Sequence, residues 1–226
     1  MINEKDIIEI DLILKDANSK EILDTTFKDK AKEGDLNLKN EYKPLSYVFG
    51  TGELLKGVEE NIKDLEIKKT KTFVLKKEDA FKDRDPKKIE LISINEFKKE
   101  KINPQVGLFV NIGERSGKII SVSGGRVKVD FNPIFAGKDL EYTITLNKVF
   151  SKDLEKVPIL LEKAFYFMPK EQITTEVKEQ EVNVIVPLGL PQEVDYFKRL
   201  FSKMVFETTN FKEVNFVQKF KKDKGE

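Results

Sequence analysis

The sequence predicts an α+β fold, built from many short strands and few helices, and three observations lead there. Residues Asp139 to Val149 alternate, with Leu140, Tyr142, Ile144 and Leu146 set against Glu141, Thr143, Thr145 and Asn147. This is the period of a half-buried strand. Leu54, Leu55, Val58 and Ile62 recur at the spacing of one helix face, with Lys56, Glu59, Glu60 and Lys63 elsewhere, and so predict a short amphipathic helix. The pattern also changes character twice, after Pro86 and after Phe150, which marks a small mostly-β domain over 86–130 and a separate α+β domain over 151–226.

Taken in order, Ile7 to Leu14 reads as a strand, Lys15 to Lys20 as turn residues and Glu21 to Asp24 as a returning strand, together a hairpin. A charged stretch over Lys28 to Lys43 reads as a loop. Leu45 to Phe49 is a strand ended by Gly50-Thr51-Gly52, and Lys71 to Leu75 is another after the amphipathic helix. Within the insert, a helix is expected at Ile94 to Lys99 and strands at Leu108–Ile112, Gly117–Ser123 and Arg126–Phe131. Ser123-Gly124-Gly125 is a hairpin signal, because glycine tolerates positive φ. Beyond Phe150 the pattern gives a helix over Leu154–Phe167 interrupted near its start by Pro158, strands at Ile173–Lys178 and Val182–Val186, a helix at Val194–Phe206 and a strand at Val214–Phe220. Residues Lys221 to Glu226 read as a frayed tail.

Composition removes much catalytic chemistry. The 226 residues include no histidine, cysteine or tryptophan. Disulfides, thiol nucleophiles, imidazole bases and zinc sites are therefore out, and no metal or cofactor is expected. With 41 basic and 40 acidic residues interspersed, the chain lacks the basic concentration of a nucleic-acid binder, so no nucleic-acid partner is expected. Met1 to Asp6 shows no basic region leading into an apolar stretch, and no apolar run approaches a membrane span, so a cytoplasmic protein without a membrane partner is expected.

Two glycine motifs invite phosphate-binding readings and fail them. Gly113-Glu114-Arg115-Ser116-Gly117-Lys118 has the wrong glycine spacing and Ile119 where a magnesium-binding hydroxyl belongs; a hairpin turn explains it better. Gly50-Thr51-Gly52 lacks the third glycine of a dinucleotide loop. Paired carboxylates are abundant, and a solvated face accounts for them more simply than a hydrolase cleft.

What remains is an ordered set of motifs: Leu23-Asp24, Tyr47-Val48-Phe49-Gly50, Gly52-Glu53-Leu54-Leu55-Lys56-Gly57-Val58-Glu59, Asp79-Ala80-Phe81, and Asn132-Pro133-Ile134-Phe135-Ala136-Gly137-Lys138-Asp139-Leu140-Glu141-Tyr142. The set resembles the FK506-binding-protein (FKBP) type of peptidyl-prolyl cis-trans isomerase, and its last segment is similar to the SlyD-like branch, in which a chaperone domain is inserted into the flap loop. The domain after Phe150 resembles that of long archaeal members. The resemblance implies an antiparallel sheet wrapped on a short helix, formed by 1–85 plus 131–150, with 86–130 as the inserted domain. It also implies isomerase activity without metal or cofactor, and unfolded or proline-containing polypeptides as partners.

Position by position, the resemblance makes Leu23 a pocket wall, Asp24 a buried carboxylate near the imide and Tyr47 part of the floor. Leu54 and Leu55 would start the helix under the prolyl ring, with the Leu55 N–H donating to substrate. Val58 would form the pocket base, Phe81 the flap edge and Ile134 and Phe135 the flanks, with Tyr142 closing the cleft. Each apolar member alone reads equally as core. Departures from the family pattern stand at Ile13, Val58, Phe81 and Lys82, where tyrosine, a large aromatic, a hydroxyl-bearing ring and glycine are usual. Those at Ile13, Val58 and Lys82 favour the alternative of a non-enzymatic holdase on the same scaffold.

In the insert, Leu91, Ile92, Ile94, Phe97, Ile102, Val106, Leu108 and Phe109 are more apolar residues than a loop needs. Read functionally they form a strand-edge patch that binds unfolded segments; read structurally they close a small core. Phe165, Tyr166, Phe167, Phe197, Phe201 and Phe206 supply the C-terminal domain with aromatic residues, first for its core and second for an association surface. The resemblance implies a homodimer through that domain.

Overall fold

The computed structural model describes residues 1–220; the tail expected over 221–226 lies outside them. Its elements are β1 (Ile7–Asp16), β2 (Ile22–Thr25), α1 (Lys28–Glu33), β3 (Leu45–Val48), α2 (Lys56–Ile62), β4 (Thr70–Leu75), β5 (Ile89–Ser93), α3 (Ile94–Lys99), β6 (Phe109–Ile112), β7 (Arg115–Ser123), β8 (Arg126–Asp130), β9 (Leu140–Phe150), α4 (Asp153–Ala164), β10 (Thr174–Lys178), β11 (Glu181–Ile185), α5 (Val194–Thr208) and β12 (Glu213–Val217). The fold is α+β. Its residues group into two compact units, one of 1–14, 22–73 and the chain from 142 onward, the other of 15–21 and 74–141.

In the first unit, β1 is the organising strand of a five-stranded sheet ordered β2-β1-β9-β4, with β3 also paired to β1. Ile8, Ile10, Leu12 and Leu14 of β1 are buried, as are Tyr142, Ile144 and Leu146 of β9, following the alternation in the sequence. Helix α2 buries Val58 and Ile62, four residues apart on one face. β3 runs antiparallel to β1 with Ile7 opposite Val48. Both side chains belong to a core that also holds Val157, Leu160, Leu161 and Ala164 of α4 and Phe201 and Val205 of α5. The region after Phe150 therefore shares buried surface with the start of β1 and the end of β3. Its own three-stranded sheet is ordered β10-β11-β12, antiparallel at the first pair and parallel at the second.

In the second unit, β5, β8, β7 and β6 form a four-stranded antiparallel sheet in that order. Gly124 and Gly125, both at positive φ, make the two-residue turn joining β7 to β8. Gly113 (φ 60°) and Glu114 make the corresponding turn from β6 to β7, so the phosphate-loop look-alike is a hairpin.

The departures from expectation are local. The stretch 28–43 begins with α1, which the sequence concealed because Ala31 is its sole buried residue and leaves no apolar stripe. α4 continues through Pro158 and ends at Ala164, short of Phe167. Leu54 and Leu55 precede α2 rather than start it; Leu55 is its extended N-cap residue (φ −60°, ψ 139°).

Candidate functional site

In the first unit, β1 carries β3 on part of its length and β9 along its other side, and this sheet brings Tyr47 and Tyr142 together. Both rings lie mostly out of solvent. Burial, with Asp24 and Glu53 close by, holds the Tyr47 hydroxyl above its usual range. Burial likewise pushes the Tyr142 hydroxyl up to about 12, helped by Tyr47 and Asp24. Phe73 of β4 stacks on Tyr142 with centroids 5.6 Å apart and ring planes 12° from parallel. Two tyrosines, a phenylalanine and two carboxylates, Asp24 and Glu53, thus share a neighbourhood.

Leu23, Leu54 and Leu55 are half-buried, and Val58 is fully buried on the α2 face. The Leu55 carbonyl accepts the N–H groups of Val58 and Glu59, at 2.8 and 3.1 Å. The Leu55 N–H donates to no described residue of its own unit. A donor left free at the start of a helix is available to a carbonyl from outside. Asp24 requires a correction: it is exposed, not buried. It is the third residue of a four-residue strand, on the solvent side of it, and one of its carboxylate oxygens accepts the N–H of Thr25 at 2.8 Å.

Phe81, Ile134 and Phe135 lie in the second unit. Phe81 and Phe135 meet edge to face, with centroids 5.6 Å apart at 63°. Ile134, which precedes Phe135 in the chain, is 53% exposed. The chain is held at this point by a polar knot. Asn132 accepts the Asp85 N–H at 2.9 Å through its side-chain oxygen and donates to the Asp85 carbonyl at 3.0 Å, while Arg84 pairs with the buried carboxylate of Asp130. Burial alone would push the Asp130 carboxyl up; donation from the Asn132 backbone and side chain and from Arg84 outweighs it and holds the group below its usual range.

The apolar residues of the insert divide. Phe97, expected at a binding surface, is fully buried and forms the core with Val110, Ile119, Val127 and Val129. Ile92, Ile94 and Ile102 pack against that core. α3 sits between two strands in sequence, and its two large apolar side chains, Ile94 and Phe97, both meet that core. Leu91, Val106 and Phe109 are exposed, at 62%, 67% and 54%, and Leu108 joins them. Leu91 lies opposite Lys128, and Phe109 opposite Lys118, which is itself opposite Asp130; cross-strand partners share a face, so Leu91 and Phe109 stand on the same side, away from Val127 and Val129.

Three residues of this neighbourhood escaped the sequence reading. Phe73 is a plain alternating strand residue and gave a faint signal at best. Glu53 and Lys163 gave none, since their contact joins positions 110 residues apart. Among the described residues no cluster of three or more acidic side chains is placed to hold a metal, and no helix is long and apolar enough to cross a membrane.

Residues 90–133 match the family described as FKBP26, IF domain. A curated protein described as a short-type peptidyl-prolyl cis-trans isomerase, from Methanocaldococcus jannaschii, is 32% identical over 150 residues, covering 66% of this chain and 94% of that protein.

Proposed function

The chain belongs to the FKBP-type peptidyl-prolyl cis-trans isomerase family, and on that premise we propose that it isomerises Xaa-Pro bonds in unfolded or nascent polypeptides by non-covalent catalysis in an apolar pocket. The barrier to this rotation is about 18–20 kcal/mol, because amide resonance is lost as the bond twists. No bond need form or break. A site that binds the twisted imide better than either planar form suffices, each ~1.4 kcal/mol of preference giving about tenfold in rate.

The observation that carries the reading is the burial of Tyr142 beside Tyr47, with Phe73 stacked on it; the Leu55 N–H, at the start of α2, has no partner among the described residues of its own unit. Aromatic walls suit a prolyl ring and a twisted amide of reduced charge separation, and the free N–H supplies one donor for a substrate carbonyl. Leu23 and Val58 complete the apolar lining. Asp24, as an exposed carboxylate, acts on the site through its field. The family resemblance assigns Phe81, Ile134 and Phe135 to peptide binding as well.

The finer reading places the chain in the SlyD-like branch, as a cytoplasmic protein of the long archaeal type. Residues 86–130 act as a holding surface and 151–226 as the dimer-forming domain. What supports the holding role is the apolar side of the insert, with Leu91, Val106 and Phe109 exposed. A tethered second surface raises the local concentration of a slowly folding chain without any new contact in the isomerase pocket.

NMR exchange on a short Xaa-Pro peptide tests the enzyme reading, with acceleration expected at micromolar protein; an unaccelerated peptide beside suppressed aggregation would leave the holdase instead. Replacing 87–130 by a short loop is expected to preserve peptide turnover and remove most catalysis of a proline-limited refolding reaction. Equal loss of both would overturn the two-site division.

A further inference from the structure

Helix α4 belongs to the region after Phe150, yet one of its side chains reaches the isomerase floor. The buried face of the helix, Val157, Leu160, Leu161 and Ala164, lies in the core that contains Val48 of β3. That packing fixes the next residue round, Lys163, beside the strand. Its ammonium donates to the Ser46 carbonyl at 3.0 Å and to a Glu53 carboxylate oxygen at 2.6 Å. It also lies 5.7 Å from the centroid of the Tyr47 ring, within cation–π range. The same Glu53 oxygen accepts the N–H of Val48 at 3.0 Å. Ser46, Lys163, Glu53 and Val48 therefore close a ring of polar contacts around Tyr47, and Glu53 stands two residues before Leu55.

The chemistry of this ring decides what Lys163 does. Glu53 folds back to satisfy the amide of a buried strand residue, which sets the turn that presents Leu55. An uncompensated carboxylate there would lie against Tyr47, which already has Asp24 nearby, and would be drawn out toward water. The ammonium cancels that charge and ties the carboxylate to the strand through a second acceptor, the Ser46 carbonyl. With side chains 26% and 32% exposed, the Lys163–Glu53 pair adds little to stability. Its consequence is geometric, and positional errors at a site are expensive in rate.

We propose that Lys163 is a positioning residue of the isomerase site, holding Glu53 against β3 so that the Tyr47 ring and the Leu55 N–H keep the geometry that binds the twisted imide. The inference rests on the isomerase reading and gives the C-terminal region a part in catalysis that a shared core alone would not.

The test uses the full chain with Lys163→Met, which keeps the stem and removes the charge, and Lys163→Arg, which restores it. Peptide exchange gives kcat and KM, thermal melting gives stability, and 13C-labelled tyrosine NMR, with Tyr47 assigned through Tyr47→Phe, reads the ring directly. Lys163→Met is expected to lower kcat/KM about 5–10-fold, mostly in kcat, and to move the Tyr47 resonance while leaving those of Tyr166 and Tyr196 in place. The melting midpoint should stay near that of the wild type, and Lys163→Arg should recover most of the rate. A wild-type rate and unmoved Tyr47 resonance in Lys163→Met overturn the proposal, as does a loss that tracks melting and is not rescued by arginine. Absence of exchange in the wild type overturns the isomerase reading and this proposal with it; an active wild type with an indifferent Lys163→Met overturns this proposal alone.

Discussion

The insert and the C-terminal region each cover a small sheet with helix, and they do it in unequal measure. The C-terminal sheet of three strands has α4 and α5, helices of 12 and 15 residues, and a core into which Ile7 and Val48 also enter. The insert has four strands and one helix of six residues, and among its apolar side chains Phe97, Val110, Ile119, Val127 and Val129 are buried. A sheet has two faces, and so little helix covers only one of them. The uncovered side carries Leu91 and Phe109. A domain of this size buries a smaller fraction of its surface than a large one and has little stability to spare, so apolar side chains left outside are the feature to explain, and the client binding proposed above would account for them.

The largest test of that contrast is a matched pair of core truncations. Phe97 and Phe201 are both fully buried, and replacing either with alanine should remove about 3–5 kcal/mol. Phe97→Ala is expected to strip hydrogen-exchange protection from residues 89–130 while peptide isomerisation persists. Phe201→Ala should lower protection at Ile7 and Val48 as well as in α4 and α5, and should reduce isomerisation, because those positions share one core. If Phe97→Ala also cost β1 and β9 their protection, the two units would be one cooperative body and the contrast would fail.

A second contrast separates the units by pH. Tyr142, in the first, has its hydroxyl raised to about 12 by burial, with Tyr47 and Asp24 adding to it. A raised group supports the fold fully below the ordinary tyrosine value near 10 and loses that support as pH climbs toward the folded value, here roughly 2–3 kcal/mol in all. Asp130, in the second, is held below its usual value. Its support is complete above the ordinary aspartate range and fades as pH falls through and beyond it. Alkaline titration followed by tyrosinate absorbance and hydrogen exchange should therefore loosen β9 first, and acid should loosen the ends of β8 and the Asn132 knot first. Tyr142→Phe should shrink the alkaline loss; an unchanged alkaline limb in that variant would show that Tyr142 is not its source.

How much of this was legible in the sequence follows from the range of the interactions involved. α3 and the alternation of β9 are written in neighbours a few residues apart, and so is the Gly124-Gly125 turn; all three stand where the local pattern puts them. The motif order from Leu23 to Tyr142 carried the family because it summed many weak local signals. The burial of Phe97 was not legible, since an apolar residue on a short helix reads equally as core or as surface until the strands beneath it are placed. The exposure of Asp24 was hidden for a related reason: the family pattern fixes the residue but not the depth of this chain's short β2. Lys163 reaching Ser46 across 117 residues is beyond any local pattern.

One departure from the family pattern was visible in the sequence and acquires a physical meaning in the structure. Lys82 stands where glycine is usual, and its backbone is at φ 60°, the left-handed region in which a side chain is strained. The conformation is held from both sides: the Lys82 N–H donates to the Lys77 carbonyl at 2.6 Å, and its carbonyl accepts the Gly137 N–H at 2.7 Å. Lys82→Gly removes the strain and keeps both backbone bonds, while the added freedom of glycine in the unfolded chain offsets part of the gain, so a net stabilisation of about 0.5–1 kcal/mol is expected. Lys82→Ala keeps the strain and loses only the side chain beyond Cβ, so it should leave stability near the wild-type value. Because Lys82 lies in the second unit, the gain should appear as added hydrogen-exchange protection at Lys82 and Gly137 and leave Ile7 and Val48 unchanged. Equal stabilisation by glycine and alanine would place the cost in the lysine side chain and acquit the backbone. A gain spread over both units would again argue that the insert and the C-terminal region do not differ in the way their cores suggest.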